Sequence, residues 1–488
     1  MSARGVLRVV VVLVAAAQEA YPGGFEMGDV GSRASGRAGA FVVRADDPSA
    51  IDHNPAGLAR LRGTHILLSN RLTWDNEAYH RARTLDFSGA VHGVPPVTSF
   101  PWVSNAVTFE GLGPMLAVSS DFGLKDWGFA VGVYSPPSTS RQSFPTDGPQ
   151  KYMLTSREVI ILYYSAAAAW KYKDIAGIGV TLQWVDVPRF RFSLVVDGNT
   201  TARMVSPVSS RFDMESRVDG ADRIGFTGIV GAWYRPFGNL ELGLSARLIP
   251  VKIETKSHLA LSALSLDLPA PPSITRNGVP DDRMTFSMVL PPKVRVGARY
   301  VHQRGGEEVA DVEVDLGYEA WSMLDAFVLD ASQTETEVLG KRITIGTLKV
   351  QRHWRDTFSV RVGSDFKAVP RWLSVRAGVM YESPAVPPEY AYVDVFPGHR
   401  LAASAGLSFT VAGLDISAAY TYLFMVPVVV TEAASKVFQQ VPGSPCLPPY
   451  TDTSTCAKEY LGKPSALANA GTYRADYHFL TLSASYSF

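Results

Sequence analysis

The stretch YHFLTLSASYSF, Tyr477 to Phe488, alternates in steps of two. Leu480, Leu482, Ala484, Tyr486 and Phe488 fall on one side; Thr481, Ser483, Ser485 and Ser487 fall on the other. That is a β-strand with one apolar face and one small polar face. An edge strand of a soluble sandwich alternates too. Here, however, the chain stops on an aromatic, with a second aromatic two residues earlier. A strand at a chain end must pair with something, and in a closed barrel it pairs with the first strand so that no edge remains.

The same pattern recurs back to Thr64. Strand-like runs lie near 64–76, 114–121, 127–135, 158–171, 174–187, 224–236, 239–254, 292–303, 308–321, 355–367, 372–383, 398–410, 413–425 and 475–488. Leu373, Val375, Ala377, Val379 and Tyr381 oppose Ser374, Arg376 and Gly378, and Val312, Val314, Leu316 and Tyr318 oppose Asp311, Glu313 and Asp315. Many of these runs are longer than typical soluble strands and suit tilted membrane strands.

The connections alternate long and short. Long ones such as 77–113, 136–157, 188–223, 255–291, 322–354, 384–397 and 426–474 are separated by short ones such as 122–126, 172–173, 304–307 and 411–412. Outer-membrane barrels have short periplasmic turns and long outer loops, and an even number of strands. The expectation is an all-β fold, a fourteen-stranded antiparallel transmembrane β-barrel. Eight tryptophans (Trp74, Trp127, Trp170, Trp184, Trp233, Trp321, Trp354, Trp372) fall near strand ends, where interface girdles belong. The polar face carries Arg247, Arg295, Arg299, Glu313, Asp315, Arg361, Asp365 and Arg376. Such charges need partners or water.

Before the first strand the chain reads differently. Arg4 and Arg8, the apolar run Val9–Val14 and the small residues Ala15–Ala17 make residues 1–17 a secretory signal peptide. Residues 18–63 are rich in Gly and Ala and hold two cap-plus-proline signals, Asp47-Pro48 and Asn54-Pro55, with Gly63 as a stop. This segment is expected to be a small helical hatch (plug) inside the lumen, with residues 64–488 forming the barrel. Capping accounts for Asp47 and Asn54, so the acidic group Asp46, Asp47, Asp52 and His53 is not read as catalytic.

Lysine plus arginine and aspartate plus glutamate both number 46, so no charge excess points to nucleic acid. Cys446 and Cys456 share one Pro- and Ser-rich outer loop and are expected to form a disulfide after export. No GxxxxGK[ST], HExxH or GxSxG stretch occurs, and His258, His353 and His399 are isolated in sequence. The expectation is no enzyme, no cofactor and no metal. Asn199-Thr200-Thr201 is read as a chance sequon.

Taken together, several strings resemble the FadL/TodX family of outer-membrane transporters. They are GRAGAFVVRADDPSAIDHNPAGLARL, LPPKVRVGARY followed by YEAWSML, HWRDTFSVRVGSDF, and LSVRAGVMYESPAVPP. Within the first, Gly39-Ala40, Asp46-Asp47 and the hatch motif Asn54, Pro55, Ala56 carry the likeness. The resemblance covers nearly the whole mature chain. It implies passive uptake of hydrophobic compounds, long-chain fatty acids or aromatic hydrocarbons, through a plugged barrel in the outer membrane of a Gram-negative bacterium. The ligand would leave through a lateral gap made by a kink in the third strand, which here offers Gly128 and Gly132 but no clear kink signature.

By the same analogy the loop after the seventh strand, with Leu259, Leu261, Leu264 and Leu266, would capture the ligand, and residues around Phe25 would line an inner site. Expected partners are the hydrophobic ligand, outer-membrane lipid and lipopolysaccharide, and the barrel assembly machinery through the strand ending at Phe488, with the chain acting as a monomer. A general porin and an adhesin working through the long loops are the alternatives.

Overall fold

In the computed structural model the described residues are 24–85, 97–136, 140–197, 213–264, 273–338, 341–439 and 467–488. The signal segment 1–17, Asn199, Leu266 and both cysteines, Cys446 and Cys456, lie outside them.

The fold is a closed antiparallel barrel of fourteen strands. These are β1 (Thr64–Arg81), β2 (Pro114–Ser120), β3 (Trp127–Tyr134), β4 (Ser156–Tyr172), β5 (Ala176–Asp197), β6 (Asp213–Phe237) and β7 (Leu240–Arg247, continued by Val251–Ala263). Then come β8 (Arg283–Leu290, continued by Lys293–Arg304), β9 (Glu307–Glu319), β10 (Thr357–Val369), β11 (Leu373–Glu382), β12 (Arg400–Val411), β13 (Leu414–Val430) and β14 (Gly471–Ser487). Closure is between β1 and β14, in register from His65 opposite Ser487 to Arg81 opposite Gly471. Thr64 and Phe488 exchange backbone hydrogen bonds of 2.9 and 3.0 Å at that end. No edge is left there, which is the physical requirement for a strand wall in lipid.

Outward positions carry the apolar rows. Leu68, Leu182, Val379, Leu401 and Leu482 all stand exposed on the outside of the wall. A monomer in water would not leave such a band bare, whereas lipid covers it.

Several strands run further on the outer side than expected from the sequence. β6 starts at Asp213 and β7 reaches Ala263, so the outer part of the wall stands well above the short turns. The stretch expected as a long loop, 322–354, holds a hairpin, Ala326–Val338 with Lys341–Gln351. It pairs with β8 through Phe286 opposite Leu329, while β9 pairs directly with β10.

Inside, residues 24–63 form two short helices, α1 (Ser32–Ser35) and α2 (Ala50–His53), and a 3-10 turn, Pro55–Arg60. The small polar face of the last strand receives α1. Ser32 N donates to Ser483 Oγ at 3.2 Å and Thr481 Oγ1 to Ser35 Oγ at 3.2 Å. Backbone meets backbone in several places: a Cβ added to Gly378 would lie 2.2 Å from the Arg37 carbonyl carbon, and one on Gly179 2.5 Å from Ala56 N. Only glycine lets two main chains approach so closely.

The Asn54 cap is present: Asn54 Oδ1 accepts from Ala56 N at 3.2 Å, with Pro55 opening the turn. Asp47 acts differently from expectation. Its Oδ1 accepts from Ser49 N at 2.8 Å, and α2 begins only at Ala50 with Ser49 as its N-cap residue. An aspartate turning back on its own backbone two residues later delays the helix start. Gly63 ends nothing helical, because the turn stops at Arg60; instead its φ of 75° turns the chain into β1.

Candidate functional site

The inner segment is fixed by charge. On β9, Asp311, Glu313 and Asp315 follow one another on the inward face, as the period of two requires, and all three are buried. Asp315 Oδ2 accepts the amides of Phe41 and Val42 at 2.9 and 3.0 Å, and Glu313 Oε1 accepts that of Val43 at 2.7 Å. Arg37 donates to Asp311 at 2.7 Å and to Glu313 at 3.1 Å. Arg44 donates to Asp311 at 2.7 Å, and Arg299 reaches Glu241 at 2.9 Å. The other lumenal charges read from the sequence also find partners. Arg376 meets Asp365 at 2.6 Å, Arg361 meets Glu382 at 3.5 Å, and Arg295 lies 3.9 Å from Asp29.

Asp46, in the inner segment, is held well below the usual carboxylate range. Burial alone would raise it, but the adjoining Arg44 and Arg33 outweigh that. Asp52 is lowered as well, its burial outweighed by Lys293 and Arg247. Asp52 also accepts the Tyr134 hydroxyl at 2.8 Å, and His53 Nε2 lies 2.8 Å from Val30 O, so both serve to seat the segment.

Above this polar layer lies an apolar cleft. It is lined by Phe25, Val159, Ile161, Phe190, Phe192, Ile253, Phe286, Met288, Leu290 and Phe327, with Arg157 and Asp394 as its charged members. Phe25 sits among rings, its centroid 4.9 Å from Trp354, 6.0 Å from Trp321 and 6.0 Å from Phe327. Phe190 stacks on Phe286 at 4.2 Å. The free space in the cleft is small, about 30 Å³. Arg157 Nε is buried without a hydrogen-bond partner, while its NH2 group donates to Ser140 Oγ at 2.6 Å.

The mouth is roofed by Tyr152–Leu154 and by Ala385, Val393, Val395 and Phe396, all buried. Arg352 clamps that roof. It holds Asp394 through bonds of 2.9 and 2.7 Å and lies 4.1 Å from the rings of both Phe327 and Tyr392.

Beside the cleft the wall is irregular. The β3–β4 ladder stops at Tyr134 opposite Tyr163 and resumes at Ser140 opposite Val159. The chain there is longer on one side than on the other, and Val159 and Ile161 of the cleft flank the step. The signal in the sequence was Pro136-Pro137, since proline cannot donate to a ladder. Gly128 marks something else: a Cβ there would meet Leu58 O at 2.2 Å.

Other sequence expectations land in different places. Leu259 and Leu261 lie on β7 rather than in a loop, facing inward on the side that also carries Ile253, and Leu264 follows the strand. Of the eight tryptophans expected in girdles, Trp74, Trp127, Trp170, Trp184 and Trp372 are exposed. Trp233, Trp321 and Trp354 are buried. Trp233 donates to Ala56 O at 3.1 Å beneath the Arg60 guanidinium, and the other two surround Phe25. Position near a strand end does not say which face a ring takes, and the parity of β6 turns Trp233 inward.

The family model described as "Outer membrane protein transport protein (OMPP1/FadL/TodX)" matches residues 13–479. No curated protein matches by sequence. Among solved structures, a Pseudomonas aeruginosa FadL homologue superimposes with a TM-score of 0.72 at 16% identity, covering 96% of this chain and 100% of that one. The P. putida toluene transporter TodX gives 0.59 at 14% identity, covering 94% and 99%. The Ralstonia pickettii toluene transporter TbuX gives 0.58 at 11% identity, covering 95% and 100%. At such identities the structures testify to the fold, and the family model carries the assignment. The chain belongs to the OMPP1/FadL/TodX family of outer-membrane transport proteins, which are transport channels and not enzymes.

Proposed function

We propose that this protein carries hydrophobic compounds passively across the outer membrane, binding them in the cleft at Phe25. The aromatic lining of that cleft carries the reading. Burying a greasy solute there returns about 25 cal/mol per Å² without energy input. Because little space is free, an incoming ligand displaces the Phe25 ring, which sits near the start of the inner segment and not on a strand. Arg157, which lines the cleft and whose buried Nε has no partner, favours a ligand with a carboxylate head, so long-chain fatty acids are preferred over plain aromatic hydrocarbons. Leu259 and Leu261, on the same strand face as Ile253, extend the apolar surface towards the outside as a capture path, with Leu264 beyond them. Residues 24–63, with the Asn54-Pro55-Ala56 turn, act as the plug, and the ligand leaves sideways at the β3–β4 step beside Ile161. The closed wall supports a monomer, set in outer-membrane lipid and lipopolysaccharide and offered to the assembly machinery by its last strand.

Proteoliposomes test this reading. Saturable uptake of a long-chain fatty acid with low ion conductance supports it. Open-pore conductance without uptake of any hydrophobic compound overturns it in favour of a porin.

A further inference from the structure

On the outer half of β1, two inward carboxylates stand close together without a counter-charge. Asp75 and Glu77 are 5% and 4% exposed, and one amide bridges them: Asn105 Nδ2 donates to Asp75 Oδ2 at 3.3 Å and to Glu77 Oε2 at 3.2 Å. Tyr477 donates to Glu77 Oε1 at 2.7 Å. Among the described residues no Lys, Arg or His nitrogen comes within 4.0 Å of either carboxylate. The Arg157 charge acts on the pair only from beyond that distance, and Glu110 adds a third negative charge nearby. Two buried carboxylates without a cation are costly, and hydrogen bonds from neutral amides do not remove the charge.

A second observation points to what is missing. Gln142, 2% exposed, donates through Nε2 to Glu77 Oε2 at 2.7 Å and to Val393 O at 3.1 Å. Both partners are acceptors, so the amide cannot be turned round. Its Oε1 is buried without a partner, and so is Asp75 Oδ1. Unused oxygens on a group already bonded to the carboxylate pair are ligands in want of a positive centre. A cavity in this part of the wall, lined by Glu77, Asn105, Thr108, Met425, Arg474 and Asp476 among others, reaches the pair at Glu77.

We propose that Asp75, Glu77 and Gln142 bind a small hard cation of the Ca²⁺ class, which takes carboxylate and amide oxygens. The ion would tie β1 to two irregular pieces of wall, Trp102–Glu110 and Ser140–Ser143, and through Gln142 to the roof at Val393. The inference does not depend on what the cleft carries.

Terbium luminescence tests it, on full-length protein refolded in detergent free of lipopolysaccharide and stripped with chelator. Tyr477 is placed to sensitise a lanthanide at Glu77. Wild type should show saturable Tb³⁺ emission displaced by Ca²⁺, and Asp75→Asn and Glu77→Gln should each weaken binding at least tenfold. Gln142→Glu should tighten it. Heat-modifiability on a gel establishes a folded barrel first. Should a carboxylate variant not fold, Gln142→Ala replaces it and should weaken binding severalfold. Wild type without saturable emission overturns the proposal and leaves a shared proton as the neutralising species. Emission that persists within twofold in the folded variants overturns it too, placing any bound ion elsewhere.

Discussion

Arg37 donates to Asp311 at 2.7 Å, and both side chains are fully shielded from solvent. The contact ties the inner segment to the wall, since Asp311 also accepts from Arg44 and Arg299. Removing one partner of a buried pair costs about 3–5 kcal/mol because the other charge is left bare. Asp311→Asn, which takes one shared carboxylate from three buried guanidinium groups, should therefore loosen the plug while the barrel stays folded. Single-channel recording should show raised or flickering conductance. A variant as silent as wild type would mean that this cluster does not hold the plug.

Asn54 does more than cap. Its Nδ2 donates to Val42 O at 2.7 Å and to Ala232 O at 3.1 Å, joining the motif to β6. A cap alone is worth about 1 kcal/mol, and each further buried hydrogen bond lost adds roughly 1 kcal/mol. Asn54→Ala should therefore lose roughly 3 kcal/mol. Hydrogen exchange of the amides in residues 40–60 reads this directly, and protection equal to wild type would refute it.

Acid should release the plug. The Asp46 and Asp52 carboxyls sit below their ordinary values in the folded protein. A group lowered on folding contributes stability that is complete above its unfolded value, about 4, and is lost as pH falls through the folded one. Conductance should stay flat from neutral pH to about pH 5 and rise below about pH 4. A rise centred near pH 6 to 7 would point to histidine instead.

Arg157→Met should separate ligand classes. A charge-assisted hydrogen bond is worth roughly 1.5–3 kcal/mol, so fatty-acid affinity should fall by about tenfold to a hundredfold. Affinity for an uncharged aromatic should hardly change. Equal losses for both would show that Arg157 shapes the cleft rather than reading a carboxylate.

The sequence told the wall better than the contents. Alternation at Leu480–Phe488 and along β9–β11 placed the strands, because lipid on one side and a polar lumen on the other impose a period of two. The same period marked Glu313 and Asp315 as lumenal, but not that their oxygens would cap the Phe41–Val43 amides, a contact between segments far apart in the chain. Trp321 and Trp354 looked like girdle residues, since nothing local says that a loop will fold back over the mouth. Phe25 was legible only through family likeness. The β3–β4 step is legible in Pro136-Pro137, whereas Gly128 marks a close backbone approach instead.

The cleft itself is tested most directly by its own fluorophores. Trp354 and Trp321 lie within about 6 Å of the Phe25 ring, so a brominated long-chain fatty acid seated there should quench them. Titration of purified wild-type protein should give saturable quenching, and Phe190→Asp, which puts a negative charge into the apolar lining, should weaken binding at least tenfold with the barrel still folded. Quenching that never saturates in wild type, or that survives unchanged in Phe190→Asp, would contradict binding at this site.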